Sequence, residues 1–225
     1  KSHSSILYNG QMVVFGGYDG SNKNDVWTLD LSTNAWTQLT TTGTAPSARY
    51  SHSSIFYNGQ MVVFGGYGGG NQNDVWSFDF STNEWTRIHD GSGTAPIARN
   101  GPYSILYNGQ MVVFGGQDSN GILQNDAWSF DFSTNAWTRI HDGSGTAPSG
   151  RYRHSSILYN EQMVVFGGDD GGYQNDAWTL DLTGPKICIN RYKLHASTGQ
   201  WSTTETHQLL PDGIQEDFSL AIGAS

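Results

Sequence analysis

The stretch HSSILYNGQMVVFGG, residues 3–17, decides the fold because the chain contains four closely similar copies of it. It returns as HSSIFYNGQMVVFGG at 52–66, PYSILYNGQMVVFGG at 102–116 and HSSILYNEQMVVFGG at 154–168. The four methionines of the chain, one in each copy, mark a period of about 50 residues. Self-similarity at this period predicts an array of like units that stack on one another.

Each unit is predicted to contain four strands. Residues 4–8 and 12–15 are short runs rich in Ile, Val and aromatic residues, and Asn9-Gly10 between them is typical of a two-residue hairpin turn. Residues 26–31 alternate in polarity, and 35–39 follow a Ser-Thr-Asn turn. Since one small sheet cannot bury both of its faces, we expect the units to pack radially as the blades of an all-β propeller.

Three features in fixed order resemble the kelch family: a double glycine after a hydrophobic strand, an aromatic in the third strand and a Trp in the fourth. They are Gly16-Gly17, Gly65-Gly66, Gly115-Gly116 and Gly167-Gly168, then Trp27, Trp76, Trp128 and Trp178, then Trp36, Trp85 and Trp137. The resemblance implies a kelch-type β-propeller of four-stranded antiparallel blades. Tryptophan rows of this kind are expected to pack between neighbouring sheets.

We interpret residues 1–225 as one propeller domain with repeats at about 1–50, 51–99, 100–150 and 151–225. The last repeat becomes irregular after residue 182, and residues 190–201 resemble a degenerate third–fourth strand hairpin. This hairpin either completes blade four or is half of a fifth blade, and residues 218–222 could form a closing strand. The repeat register places the first linker arginine at position zero, which favours a piece of a longer array. Propellers of the family it resembles commonly have five to seven blades, so four and a half blades predict either an unusually small ring or closure through another copy or missing chain.

Composition limits the function classes. The formal charge of -9 and pI near 5.0 argue against a nucleic-acid binder, which needs a basic surface. No apolar run is long enough for a membrane span, and no signal-peptide pattern opens the chain. The single cysteine, Cys188, fits a cytoplasmic location, and secretion stays open.

Two sets of loops are candidates for a binding face. The linkers between blades and the loops after each double glycine should gather at one rim, and the second set varies most within a nearly invariant repeat. The alternative is that these are ordinary solvent loops. We predict partner contacts from seven residues, since Tyr and Arg are frequent at binding hot spots: Arg49, Arg99, Arg151, Tyr18, Tyr50, Tyr67 and Tyr152.

The recurring charged residues each have a structural alternative. In domains that resemble this one, the linker arginines can grip acidic peptides, whereas the alternative is an ion pair with a neighbouring Asp or a carbonyl. His3, His52 and His154 also recur, but no further ligand completes a metal site, so none is predicted. Two rows of aspartates are expected to cap turns: Asp25, Asp74, Asp126 and Asp176, and Asp30, Asp79 and Asp131.

The sequence therefore predicts a module that binds a protein or peptide, without catalysis and without a cofactor. Kelch-fold enzymes such as galactose oxidase use a tyrosine–cysteine cross-link, which Cys188 in the irregular tail does not match. Near-identical blades also supply the same residue types repeatedly, whereas catalysis needs different ones. Two alternatives remain open: a carbohydrate-binding or sugar-modifying propeller, and an architectural repeat that self-assembles as a homo-oligomer or with further blades.

Overall fold

The computed structural model describes residues 1–183, 189–195 and 200–206, with the last two segments described by their backbone alone. Throughout these residues the regular structure is β-strand, and four antiparallel sheets follow one another along the chain. The predicted all-β propeller is confirmed, and each sheet is one blade.

Every blade is built in sequence order from its innermost strand outward. Blade one contains β1 (Ser4–Tyr8), β2 (Gln11–Tyr18), β3 (Asn22–Asp30) and β4 (Trp36–Leu39). After the linker strand β5 (Thr42–Gly43), blade two contains β6 (Ser53–Tyr57), β7 (Gln60–Phe64), β8 (Val75–Asp79) and β9 (Glu84–His89). A short ladder joins β10 (Arg99–Asn100) to β13 (Gln117–Asp118), and blade three contains β11 (Tyr103–Tyr107), β12 (Gln110–Phe114), β14 (Ala127–Asp131) and β15 (Ala136–His141). Blade four contains β16 (Ser155–Tyr159), β17 (Gln162–Phe166), β18 (Asp176–Asp181), β19 (Ile189–His195) and β20 (Gln200–Thr206).

The irregular hairpin belongs to blade four. Strand β19 pairs with β18, and β20 pairs with β19, so the hairpin supplies the fourth strand and adds a fifth. Of the two alternatives, the structure supports completion of blade four, and it makes residues 190–195 part of the fourth strand, where the sequence pattern predicted a third strand. Cys188 and the predicted closing strand at 218–222 lie outside the described residues.

Each blade has two apolar faces, which we name after their first residue in blade two. The methionine face of blade two consists of Met61, Val63, Trp76, Phe78 and Trp85, and its isoleucine face consists of Ile55, Val62, Phe64 and Val75. The isoleucine face of each blade packs on the methionine face of the next, giving three buried cores between four blades. The inner strands β1, β6, β11 and β16 contact one another in turn around the axis.

The double glycine is required by the next linker. Gly16 and Gly17 both have positive φ, at 62° and 104°, a region that side chains rarely tolerate. A Cβ on Gly16 would also lie only 2.7 Å from the carbonyl oxygen of Arg49 in the following linker. The glycine pair therefore lets the strand end turn and leaves room for the linker to the next blade.

The turns at the opposite end of the blades also follow the sequence. Asn9 and Gly10 have φ of 46° and 74°, as a type I′ hairpin requires. The Asp30 carboxylate accepts hydrogen bonds from the backbone N–H and the hydroxyl of Ser32, and Asp79 and Asp131 cap their turns in the same way. These short, nearly identical turns contrast with the varied loops at the other end.

Candidate functional site

The two sets of loops meet at one rim of the propeller, as predicted. The linker residue Tyr50 forms a β-bridge with Tyr67, which follows a double glycine, and Tyr152 bridges to Asp169 in the same way. Between these two places, the pairing of β10 with β13 joins the third linker to its loop. The rim is therefore a continuous surface in which each linker is hydrogen-bonded to one variable loop.

A row of three tyrosines crosses the rim between blades one and two. The ring centroids of Tyr18 and Tyr50 are 5.6 Å apart, and those of Tyr50 and Tyr67 are 5.5 Å apart, with tilted or edge-on planes. Tyr67 is 38% exposed and the other two are half-buried. The Lys1 ammonium lies 5.6 Å from the Tyr18 ring centroid. This tyrosine row offers flat apolar surface, and packing of the rings against one another limits their motion.

Side-chain amides extend the tyrosine row towards blade three. The Asn100 amide donates to the side-chain oxygen of Asn71 at 3.0 Å and to the backbone carbonyl of Gln117 at 3.3 Å. The Asn71 amide donates to the same carbonyl at 2.8 Å. These contacts hold the carboxamides in fixed orientations at the rim, where amides can pair with a peptide backbone.

Tyr152 lies apart from the row, at the rim of blade four. The Arg153 guanidinium stacks over its ring at 4.7 Å, and Tyr173 in the adjacent loop is 91% exposed. Arg153, Asp169 and Tyr173 line an open cleft of about 320 Å³. The sequence prediction missed Tyr173, Arg153 and the amides of Asn71 and Asn100. The available signal was the variability of the loops that carry Asn71 and Tyr173.

The prediction that Arg49, Arg99 and Arg151 contact a partner needs correction. Their exposed fractions are 0%, 0% and 1%, and each forms a two-point ion pair with an aspartate of the blade that its linker introduces. The shortest N–O distances are 2.6, 2.6 and 2.7 Å, to Asp74, Asp126 and Asp176. Each guanidinium also donates to the carbonyl of a first glycine, at Gly65, Gly115 and Gly167. The arginines therefore tie linkers to blades, which was the structural alternative.

The expectation that these three aspartates cap turns is also wrong. Instead of capping turns, each also accepts a hydrogen bond from the indole N–H of the third-strand tryptophan two residues later. Burial raises the pKa of Asp126, but hydrogen bonds and charge from Arg99 outweigh it, so the pKa lies below its usual value. Asp126 is thus held as a carboxylate between Arg99 and Trp128.

Two of the recurring histidines lie far apart in the fold. His52 and His154 are buried in two different interfaces between blades, edge-on to Phe15 and Phe114 at centroid distances of 5.0 and 5.4 Å. Desolvation, and then the charge of Arg49 or Arg151, lowers the pKa of each to about 3. Within the part of the chain that the structure describes, no three His, Cys, Asp or Glu side chains are grouped to hold a metal ion. That part also contains no helix long and apolar enough to cross a membrane.

Comparison with known proteins gives a family and several longer relatives. The family model for the KLHDC2/KLHL20/DRC7 Kelch-repeats domain matches residues 2–223. The leucine-zipper-like transcriptional regulator 1 homolog of Drosophila melanogaster is 30% identical over 184 residues, covering 81% of this chain and 14% of the relative. Human host cell factor 2 is 38% identical over 55 residues, covering 22% of this chain and 7% of that protein.

The fold also matches a solved structure. The structure of YjhT superposes with a TM-score of 0.72 at 20% sequence identity, covering 88% of this chain and 66% of that one. At this identity the likeness concerns the fold alone. The chain spans a small part of the curated relatives and about two thirds of YjhT.

Proposed function

This chain belongs to the kelch-repeat domain family, and from that premise we propose that it is a protein-binding module whose loop rim holds a peptide or a loop of another protein. The observation that carries the proposal is the tyrosine row of Tyr18, Tyr50 and Tyr67, partly exposed and fixed by packing at the rim. Preordered aromatic side chains contribute contact area at little entropic cost, which is why they dominate binding hot spots.

Recognition would combine three elements of the rim. The tyrosine row packs against apolar or aromatic side chains of the partner, while Asn71 and Asn100 offer carboxamides to its backbone. Tyr152 with Arg153, together with the exposed Tyr173, forms a second contact point at blade four. With the linker arginines buried, acidic-peptide recognition through them is replaced by recognition through aromatic and amide groups.

The relatives support binding over catalysis. The matched Drosophila protein is named as a transcriptional regulator and the human one as a host cell factor, so neither name describes an enzyme. The proposal accordingly assigns the rim a binding role without catalysis, and a cytoplasmic setting. Nucleic acid and membranes are not proposed as partners.

The test is a binding comparison between variants of the whole chain. The immobilised protein captures partners from cell extract, identified by mass spectrometry, and affinity for a purified partner is then measured. Tyr18→Ala with Tyr67→Ala should weaken binding at least tenfold, as expected for two hot-spot residues. Tyr159→Ala, which removes a 61% exposed tyrosine at the opposite end of blade four, is the matched control and should bind normally. Equal loss in both variants, or none in either, would refute the rim as the binding surface.

A carbohydrate ligand is the second candidate, favoured by the 91% exposed Tyr173 in a Gly- and Asp-rich loop. Aromatic rings stack on sugars, and neighbouring carboxylates accept hydrogen bonds from hydroxyl groups. A glycan array distinguishes the candidates. Binding that is lost on Tyr173→Ala favours sugar recognition, whereas a blank array together with protein capture favours the protein partner.

A further inference from the structure

The end of the blades opposite the rim presents apolar side chains at the boundaries between consecutive blades. At each boundary a tyrosine from the first hairpin of one blade lies with two apolar residues of the next blade. The first two of these trios are Tyr8, Phe56 and Phe80, and Tyr57, Leu106 and Phe132. The residues at the same repeat positions between blades three and four are Tyr107, Leu158 and Leu182. We call these nine residues the turn-end patch.

Packing fixes the side chains of the turn-end patch without burying them. The Tyr8 and Phe80 rings are stacked at a centroid distance of 4.2 Å, and a second trio repeats this stack at 4.3 Å. Phe56 is 38% exposed, Leu158 is 43% exposed and the other members are half-buried. Each trio lies between two blades, so its exposed surface belongs to the end of the array and not to an outer blade face. Apolar groups that are exposed together in this way mark an interaction surface.

Carboxylates border the turn-end patch. The described turns at this end, from residues 8–11 and 30–36 in blade one to 159–162 and 181–183 in blade four, contain six acidic residues and no Lys, Arg or His. The six are Asp30, Asp79, Glu84, Asp131, Glu161 and Asp181. Three of them directly precede the last member of a trio, as Asp79 precedes Phe80. Every trio therefore has a carboxylate beside it in the chain.

These carboxylates are charged and keep an oxygen for a partner. The hydroxyl and the backbone N–H of Ser81 donate to Oδ1 of Asp79, and they lower the pKa of that carboxyl. Its Oδ2 has only a long contact, 3.5 Å, from the side-chain amide of Gln60. Asp131 is held in the same way, with a pKa that is also lowered. The outer oxygens can therefore accept hydrogen bonds from a cation.

We propose that the turn-end patch binds an amphipathic helix of another protein, whose apolar stripe is bordered by lysine or arginine. The stripe packs on Phe56, Leu106 and Leu158, while the cations pair with the bordering aspartates. Residues three and four apart lie on one face of a helix, so a single helix presents both the apolar stripe and its basic borders. This partner is separate from the one at the rim, and both can be bound at the same time.

Charge also selects a protein segment over a lipid surface. The cytoplasmic faces of membranes are anionic, and they attract basic proteins. A surface with six carboxylates and no cation in its described turns would be repelled by such a membrane, although its apolar side chains could otherwise insert. A basic helix is attracted by the same carboxylates, which favours the helix as the occupant.

A synthetic helix tests the proposal on the whole chain. The probe is a fluorescein-labelled peptide of leucine and lysine, ordered so that the leucines form one helical face. Binding is measured by fluorescence anisotropy. A peptide of the same composition, ordered so that it has no apolar face, reports charge attraction alone and should bind at least about tenfold more weakly.

One pair of substitutions tests the apolar contact. Phe56→Ser with Leu158→Ser should weaken binding of the probe at least about tenfold, because it removes the two most exposed side chains of the turn-end patch. The matched control is Ile97→Ser with Ile122→Ser, which changes isoleucines that are 49% and 58% exposed in a linker and a rim loop. The control pair should bind the probe normally. Circular dichroism confirms that each variant is folded.

A second pair tests the charges without altering the packing. Asp79→Asn with Asp131→Asn keeps the oxygen that accepts from the turn serine and removes two charges, so binding should weaken roughly fivefold at low salt and less at high salt. Asp90→Asn with Asp142→Asn is the matched control, since these linker aspartates accept from Ser92 and Ser144 in the same way. This control pair should bind the probe normally.

Three results would overturn the proposal. The first is an unmodified chain that binds neither peptide or binds both equally. The second is an equal loss in a substitution pair and its control, which would place the helix elsewhere. The third is binding to vesicles of phosphatidylcholine and phosphatidylserine that the Phe56 and Leu158 pair abolishes, which would make a lipid surface the occupant. Tyr18→Ala with Tyr67→Ala should bind the probe normally, so this test is independent of the rim.

Discussion

At the scale of single residues, the most repeated device is a buried unit of arginine, aspartate and tryptophan. Arg99 reaches from its linker to Asp126, which also accepts the indole N–H of Trp128. The guanidinium is fully buried and bonded on several sides, so the cost of its desolvation is met by specific partners. The unit fixes the linker to its blade and thus fixes the angle between consecutive blades.

Removing Arg99 should be costly because it leaves the partly buried Asp126 carboxylate without its counter-ion. We expect Arg99→Ala to lower the free energy of unfolding by about 3–5 kcal/mol. The matched control is Arg139→Ala, an exposed arginine of the same blade whose guanidinium lies 6.0 Å from the Trp128 ring. It should cost less than about 1 kcal/mol. Urea unfolding measures both, and equal losses would contradict the structural role of Arg99.

The buried histidines predict a loss of stability in acid. His52 and His154 have pKa values of about 3 in the folded chain, against an ordinary value of 6.5. Between pH 6.5 and 3 these histidines bind more protons in the unfolded state than in the folded state. The free energy of unfolding is therefore unaffected by them above pH 6.5 and declines as the pH falls below it. Each histidine contributes up to about 1.4 kcal/mol per pH unit in that window.

Replacing both histidines isolates their contribution to the pH dependence of the free energy of unfolding. In His52→Leu with His154→Leu, unfolding free energy measured by urea at several pH values should depend less steeply on pH between 6.5 and 3. The exposed His3→Leu is the control. Blade three already carries Pro102 at the equivalent position, so a non-titrating residue is compatible with the interface. An unchanged slope in the double variant would show that carboxylates alone govern acid unfolding.

At the scale of the element, one hairpin departs from its siblings. Three blades have Asn-Gly at the turn between their first two strands, whereas blade four has Asn160-Glu161, and Glu161 has φ of 60°. A residue with a Cβ is disfavoured in this left-handed region. The turn nevertheless forms, because the strands on either side pair in the same register as in the other blades.

Glu161→Gly should therefore stabilise the chain. We expect the free energy of unfolding to rise by about 1 kcal/mol, the relief of the left-handed strain less the added freedom of glycine in the unfolded chain. The reciprocal change, Gly59→Glu, places the same strain in blade two and should lower stability by a similar amount. Thermal or urea unfolding measures both, and a neutral result for the pair would show that the turn tolerates a side chain.

The strands were predictable from sequence because their determinants are local. Alternation, Asn-Gly turns and double glycines act within a few residues, and residues 4–8 form β1 as expected. The partners of Arg49 were not predictable as a single answer, since Asp74 is 25 residues away and the pairing depends on how a linker crosses its blade. The ends of blade four were not predictable either, because β19 and β20 carry only a degenerate pattern.

The site was predictable in part for the same reason. Tyr18 and Tyr67 occupy the same repeat position, directly after a double glycine, and Tyr50 lies in the linker between them. The propeller brings linkers and these loops to one rim, so the proximity of the three tyrosines follows from the repeat. At the positions of Tyr173 and Arg153 the other blades carry different residue types, such as Asn71 and Ser51, and only the three-dimensional structure shows that Tyr173 and Arg153 flank one cleft. Residue types that recur between blades thus identify the common fold, whereas residue types found in one blade identify candidate binding residues.

At the scale of the whole molecule, stability is distributed unevenly along the array. In a stack where each blade contacts only its neighbours, stability is approximately a sum of blade and interface terms. Within the described residues, blades two and three are packed on both faces, whereas blade one is packed against another blade on its isoleucine face only. Blade one should consequently open locally more often than blade two.

Hydrogen exchange can measure this difference with an internal control. The segment GQMVVFGG is identical in blades one, two and three, so the intrinsic exchange rates of its amides are matched. At a concentration where the chain is monomeric, amides of Val13 and Val14 should exchange at least tenfold faster than those of Val62 and Val63. Equal protection would mean that the blades unfold as one cooperative unit.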